Sequence, residues 1–264
     1  MSRSPGPEGA RPIVAMLHPR REARRAVQRS YPRATGTVRL CRGLTHIKRL
    51  LAQRLVDAVV LDIKAAPDAL ALAASFPRIP MFALSLFRPD DGALMLECRR
   101  AGFAAVLVEG VDTGVAGPWI AARTAQRARH EALADAPALL RLQDRVQLAA
   151  WEEVLSRVAA PTTTAEIARA LGVTREHLSR EFAAGGAPNL KRVIDLTRLA
   201  CAADLLGNPG YSVRAIVRIL GYASAGHLAA AARRLTGAPS SMLRQLGPRG
   251  VLTRFLGGRT RSRY

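Results

Sequence analysis

The chain has 264 residues, 49% of them hydrophobic, with 40 Lys and Arg against 20 Asp and Glu for a formal net charge of +20. That length accommodates two domains of ordinary size, and a charge so far from neutral points to a polyanion or a membrane surface as partner. The excess is almost all Arg, as a GC-rich coding bias also produces, and it divides into about +9 before Pro137 and about +11 after it, so it does not locate the contact.

The three cysteines, Cys41, Cys98 and Cys201, are far apart and have no His at ligand spacing. That argues against a disulfide framework or a zinc site and fits a reducing compartment. No apolar run reaches the ~18 residues of a membrane span, and residues 1–11 (MSRSPGPEGAR) are polar and rich in Pro and Gly, a flexible tail in place of a signal peptide. The expected location is the cytoplasm.

From Pro12 to Ala134, short apolar runs alternate with helical stretches. The runs are Ile13–Leu17, Thr37–Cys41, Ala58–Asp62, Met81–Leu86 and Ala104–Val108; the stretches are Arg20–Ser30, Leu44–Leu55, Pro67–Phe76, Asp91–Ala101 and Pro118–Ala134. Nearly all-apolar strands separated by helices predict a parallel sheet covered on both faces. Five such units in about 120 residues predict an α/β flavodoxin-like domain, strand order 2-1-3-4-5.

Asp57–Ile63 (DAVVLDI) and Ala101–Gly110 (AGFAAVLVEG) carry a resemblance to the receiver domain of two-component response regulators. The resemblance implies a phosphoryl-accepting Asp at Asp62 and a hydroxyl partner at Ser85. It also implies an acidic pair after the first strand to hold Mg²⁺, where this chain has His18 and Pro19, and a Lys after the fifth, where it has Glu109. Without those groups the charge of a transferring phosphoryl is poorly stabilised. The expectation is therefore a receiver-like module that is not phosphorylated, Asp62 being a strand-end carboxylate bonded to nearby backbone N–H groups. No G-x-S-x-G elbow, phosphate loop or metal-spaced cluster surrounds His18, His46, His130 or Cys98, so no catalysis, metal or cofactor is expected.

A helix from Trp119 to about Asp135 should break at Ala136-Pro137, and a second should run Ala138–Ala159. Its first stripe, Leu139, Leu142 and Val146, is a candidate dimer seam or an intramolecular contact; its second, Leu148, Trp151, Leu155 and Val158, should pack on the next core.

Residues 163–235 hold one helical pattern twice: TTAEIARALGVTREHLSREF (Thr163–Phe182) and YSVRAIVRILGYASAGHLAAAARRL (Tyr211–Leu235). Each has a capping hydroxyl, a helix ended by Gly172 or Gly221, a turn, and a second helix anchored by Leu178 or Leu228. That composition predicts a helix-turn-helix. Thr163-x-x-Glu166 reads as a capping box, and a helix from about Asn189 to Leu206 reads as a stiff strut of about 27 Å between the motifs.

With Arg198–Leu206 (RLACAADLL) and Gly237–Arg244 (GAPSSMLR), Gln147–Leu246 resembles the AraC/XylS type of transcription factor. Val217 departs from the small residue usual there, which should push the second pair of helices apart, and Leu228 and Ala232 replace aromatics. The resemblance implies an all-α domain whose two recognition helices enter successive major-groove segments. The first motif offers Thr174, Arg175, Glu176, His177, Ser179 and Arg180 as DNA contacts, of which the resemblance points Glu176, Ser179 and Arg180 at base edges, with Arg180 suited to guanine and Glu176 to cytosine N4. The second offers Ser224, Gly226 and His227, then an alanine face (Ala229–Ala232) that cannot donate a hydrogen bond, with Arg233 and Arg234 as backbone clamps or solvated charge.

The expected layout is a tail at 1–11, a receiver-like α/β domain at 12–134, a linker at 135–146, the DNA-binding domain at 147–247 and a basic tail at 248–264. The main functional expectation is a regulator that binds promoter DNA, with RNA polymerase as a further candidate partner and a homodimer through the amino-terminal domain or the Ala138–Val146 helix as another. The rivals are a response regulator phosphorylated at Asp62 and a nonspecific Arg-driven DNA binder.

Overall fold

The computed structural model describes residues 12–159, 162–183 and 186–258. Residues 1–11 and 259–264, which include the expected amino-terminal tail and the end of the carboxy-terminal one, lie outside them. The described chain divides into two compact units, one formed by 12–128 with Asn208–Tyr211, the other by Arg129–Gly207 and the residues from Ser212 on.

The first unit contains β1 (Ile13–Leu17), α1 (Arg21–Ser30), β2 (Thr37–Leu40), α2 (Leu44–Gln53), β3 (Val56–Leu61), α3 (Ala69–Ser75), β4 (Met81–Ser85), α4 (Gly92–Arg100), β5 (Ala105–Val108) and α5 (Ala116–Ala122). All neighbouring strands pair in parallel, in the order β2-β1-β3-β4-β5, the flavodoxin-like arrangement expected. β3 and β4 are buried at every residue because they lie inside the sheet with helices on both faces. On the α1/α5 face, Val14, Met16, Val60, Phe82 and Leu84 from the strands meet Val27, Tyr31 and Ile120 in a continuous core. Gly117 allows the α1–α5 approach: a Cβ there would lie 2.3 Å from the backbone of Ser30 and Tyr31.

One helix was expected over Pro118–Ala134. Two form: α5 ends at Ala122, and α6 (Ala125–Ala132) starts after Thr124, whose Oγ1 accepts the N–H of Arg127 at 3.3 Å. A hydroxyl offering a local cap competes with helix continuation.

The second unit begins at Arg129, before the segment expected to be a linker. Within 135–146, Ala136, Leu140 and Leu142 are buried, so the segment packs as part of that unit. Nor does a helix span Ala138–Ala159. α7 (Ala136–Leu139) stops, Arg141 adopts φ 58°, and α8 (Arg145–Ser156) starts afresh under an Asp144 cap, with the Val146 N–H donating to Asp144 Oδ1 at 2.6 Å. Gln147 Oε1 completes the box by accepting from the Asp144 N–H at 3.2 Å. The Ala138–Val146 seam helix is therefore not formed. In the later stripe Trp151 and Leu155 are buried as expected, but Leu148 is exposed, its place taken by Ala150 and Val154.

Next come α9 (Thr164–Leu171), α10 (Arg175–Ala183), α11 (Leu190–Leu206), α12 (Val213–Ile219), α13 (Ala225–Thr236) and α14 (Leu243–Gly258). α11 buries residues around most of its circumference, among them Val193, Leu196, Leu199, Ala200 and Ala203, as a helix surrounded by others must. Its start is fixed by Asn189, whose Oδ1 accepts the Arg192 N–H at 2.9 Å.

Residues 248–258 are not a loose tail. α14 is interrupted at Gly247 (φ 59°, ψ −175°) and resumes at Pro248. It then lays Val251, Leu252 and Phe255 into the core along α11, with the Arg192 guanidinium over the Phe255 ring at 5.0 Å. The apolar spacing Val251, Leu252, Phe255 is the i, i+1, i+4 face of a packed helix.

Candidate nucleic-acid interface

The first motif is built from α9 and α10. The Glu166 N–H donates to Thr163 Oγ1 at 3.2 Å and the Thr163 N–H to Glu166 Oε2 at 2.8 Å, the reciprocal box the sequence predicts. The bond from the Thr163 backbone, with that from its hydroxyl, holds the Glu166 carboxyl below its ordinary range. Ile167 and Ala168 are buried, and Gly172 ends α9 in the left-handed region (φ 68°, ψ 27°). Thr174 caps α10, its Oγ1 accepting the His177 N–H at 3.1 Å. Leu178 and Phe182 pin α10 to the core, and Gln147 Nε2 donates to the Glu181 carbonyl at 2.7 Å. Thr174, Arg175, Glu176, Ser179 and Arg180 are left exposed, with His177 half-buried and its Nδ1 3.7 Å from Glu181 Oε1.

The second motif repeats the construction. Ser212 caps α12, accepting the Ala215 N–H at 3.1 Å; Gly221 turns the chain at φ 66°; Ser224 caps α13, accepting the His227 N–H at 3.1 Å. Ile216, Ile219 and Leu228 carry the packing. Where Ala168 is buried, the bulkier Val217 is only half-buried. Residues 167–245 match a family model described as a helix-turn-helix domain. This segment is an AraC-type helix-turn-helix domain. Among solved structures the chain is similar to a response regulator from Thermotoga maritima (18% identity, TM-score 0.37, 42% of this chain and 94% of that one). Another is full-length FixJ from B. japonicum (14% identity, TM-score 0.38, 88% of this chain and 98% of that one). No curated protein matches the chain.

Within the AraC-type domain, Ser224, Gly226, His227, Arg233 and Arg234 are exposed, as DNA contact requires. The alanine face is narrower than expected. Ala231 and Ala232 are buried against the core, Ala229 is half-buried, and Ala230 alone of the four is exposed. Arg234 is not merely solvated: its Nη2 donates to Asp195 Oδ2 on α11 at 2.8 Å. The sequence gives no local signal for that pair, whose partners are 39 residues apart. Tyr222, in the turn, packs edge-on to His227 at 5.7 Å and lies under the Arg198 guanidinium, also at 5.7 Å. Burial pushes its phenol pKa up. No helix among the described residues is long and apolar enough to cross a membrane.

The other sequence-predicted residues meet at the carboxyl edge of the sheet. Asp62, just past β3, is buried; its Oδ1 accepts from the Ser85 hydroxyl at 2.5 Å and from the Lys64 N–H at 3.1 Å. Ser85 Oγ in turn accepts the Ile63 N–H at 2.9 Å. Beyond β5, buried Glu109 faces Arg20 Nε at 3.2 Å through Oε1 and His18 Nε2 at 3.6 Å through Oε2. His18 Nδ1 accepts the Arg20 N–H at 3.2 Å. A carboxylate thus follows β5, and the His18 imidazole and the Arg20 guanidinium follow β1.

Proposed function

We propose that the protein is a sequence-specific regulator of transcription that reads promoter DNA chiefly through α10. The observation that carries this reading is the pair of capped helices, α10 and α13, each set by a left-handed glycine turn and each exposing the residues a groove-reading helix needs. α10 presents Arg175, Glu176, Ser179 and Arg180, which between them can donate to guanine and accept from cytosine. The outward positions of α13 offer Gly226, His227 and Ala230 before Arg233 and Arg234, a set fitted to clamping the phosphate backbone and poor at base readout. Asp195 orients Arg234 for that task. α11, 17 residues and about 26 Å long, ties the two motifs into one domain.

The α/β unit acts in this reading as a receiver-like module that is not phosphorylated. Asp62 is occupied by Ser85 and Lys64, and Glu109 stands where a cation would be needed beside a phosphoryl group. Competition between a selected site and random duplex at physiological salt tests the first part; a specificity ratio below roughly ten overturns it. Incubation with a small phosphodonor and Mg²⁺ tests the second, and a stoichiometric acid-labile adduct lost in Asp62→Asn overturns that.

A further inference from the structure

The net charge is less evenly spread than its division between the two halves indicates. Residues 20–54 hold ten Arg and Lys48 against Glu22 alone, a net +10. This one stretch therefore carries half of the +20 of the whole chain. In the fold it becomes α1, β2 and α2, so β2 is the edge strand and both helices that flank it belong to the same stretch.

The cations point outward. α1 buries Ala23 and Val27, and the opposite side of the helix exposes Arg21, Arg25 and Arg29 at i, i+4, i+8, a row with steps of about 6 Å. Arg39 on β2 and Lys48 and Arg49 on α2 are exposed as well. Among the described residues no carboxylate lies within ion-pair distance of these six. An ordinary solvated face mixes both signs, and one or two charges are enough to keep an edge strand from pairing. With Glu22 the one carboxylate of the stretch, this edge is attractive to a polyanion.

We propose that this basic edge of the α/β unit is a second nucleic-acid contact, gripping the phosphate backbone of duplex DNA without reading its sequence. The chemistry selects duplex over other anions. Single strands are held on exposed aromatic platforms, whereas Tyr31, the one aromatic residue of the stretch, is buried. A membrane surface needs an apolar wedge beside the basic residues, and Leu40 is the one exposed large hydrophobic residue in 20–54. A row of guanidinium groups with no base-reading partners is what a backbone contact requires. The proposal goes beyond the reading of the AraC-type domain and does not depend on which sequence that domain prefers.

The test uses the full chain and two 30-base-pair duplexes, one carrying a site selected from a random library and one of scrambled sequence. The salt dependence of Kd is compared for wild type, for the triple variant Arg21→Gln, Arg25→Gln, Arg29→Gln, and for the same three positions changed to Lys. The Gln variant should lower the slope of log Kd against log salt by about 0.9 per lost phosphate contact, up to about 2.7 for three, on both duplexes alike. The Lys variant should keep the wild-type slope, and the ratio of the two Kd values should not change in either. A slope in the Gln variant equal to wild type overturns the proposal. So does loss of binding to a polyglutamate matrix with the duplex slope intact, which would assign the face to an acidic protein. A wild-type chain that fails to prefer the selected site would defeat the reading of α10 instead, and the slope on scrambled duplex would still decide this one.

Discussion

Replacing Phe255 by Ala separates a packed terminal helix from a basic tail. Phe255 is fully buried on α14, between the core along α11 and the Arg192 guanidinium at 5.0 Å. Removing a buried Phe side chain costs about 3–5 kcal/mol, and the lost cation–π contact adds up to about 1 kcal/mol at a half-exposed site. Against a total domain stability of about 5–15 kcal/mol, that is a large share of what holds the helical unit together. Arg254, the adjacent exposed residue, is the control, and Arg254→Ala should stay within about 0.5 kcal/mol of wild type. Urea unfolding followed by the fluorescence of Trp151, buried in this unit, in a Trp119→Phe background reports on the right region. Phe255→Ala and Arg254→Ala unfolding at the same urea concentration would refute the packing argument, because a solvated tail responds to neither.

Three further outcomes are expected. Arg180→Ala should cost about 1–3 kcal/mol of binding to the selected site and relax discrimination at one base pair, with Ala230→Gln far milder, measured by binding to single-substitution duplexes; equal loss from both would show that α13 reads sequence too. Thr163→Ala removes one side of a capping box and should lower the stability of the helical unit by about 1 kcal/mol, seen in the same urea assay, whereas Thr163→Ser should restore it. Burial holds the His130 imidazole below its ordinary pKa, opposed by the Glu152 carboxylate 3.7 Å away. The folded chain therefore resists protonation where the unfolded chain accepts it: stability is complete above the unfolded value of about 6.5 and is lost as pH falls below it. Thermal melting between pH 7.5 and 5.5 should show a steeper loss for wild type than for His130→Gln, and identical profiles would count against the assignment.

Local chemistry made much of the chain legible in advance. The strands between Ile13 and Val108 are short and mostly apolar, so their existence follows from residue type with ends at most two positions out. Thr163 with Glu166, and Gly172 and Gly221, act through bonds and dihedrals within three or four residues, so the helix-turn-helix construction and the exposed face of α10 were visible in the letters. Two of the departures share one cause. Residues 135–146 and 248–258 look polar or basic enough for linker and tail, yet Ala136, Leu140 and Leu142 in the first and Val251, Leu252 and Phe255 in the second are buried, the last three along α11. The break at Arg141 and the cap at Asp144 override a helical period that continues through them.

What the sequence determined by itself is whatever a single turn or strand settles: caps, left-handed glycines, alternation, and the residue types offered to a groove. Tertiary structure alone decided that Ala231 and Ala232 face inward and that Arg234 is tied to Asp195. Burial and ion pairing depend on which distant segments meet, and that is set by minimising exposed apolar area over the whole chain, not by any window of residues within it.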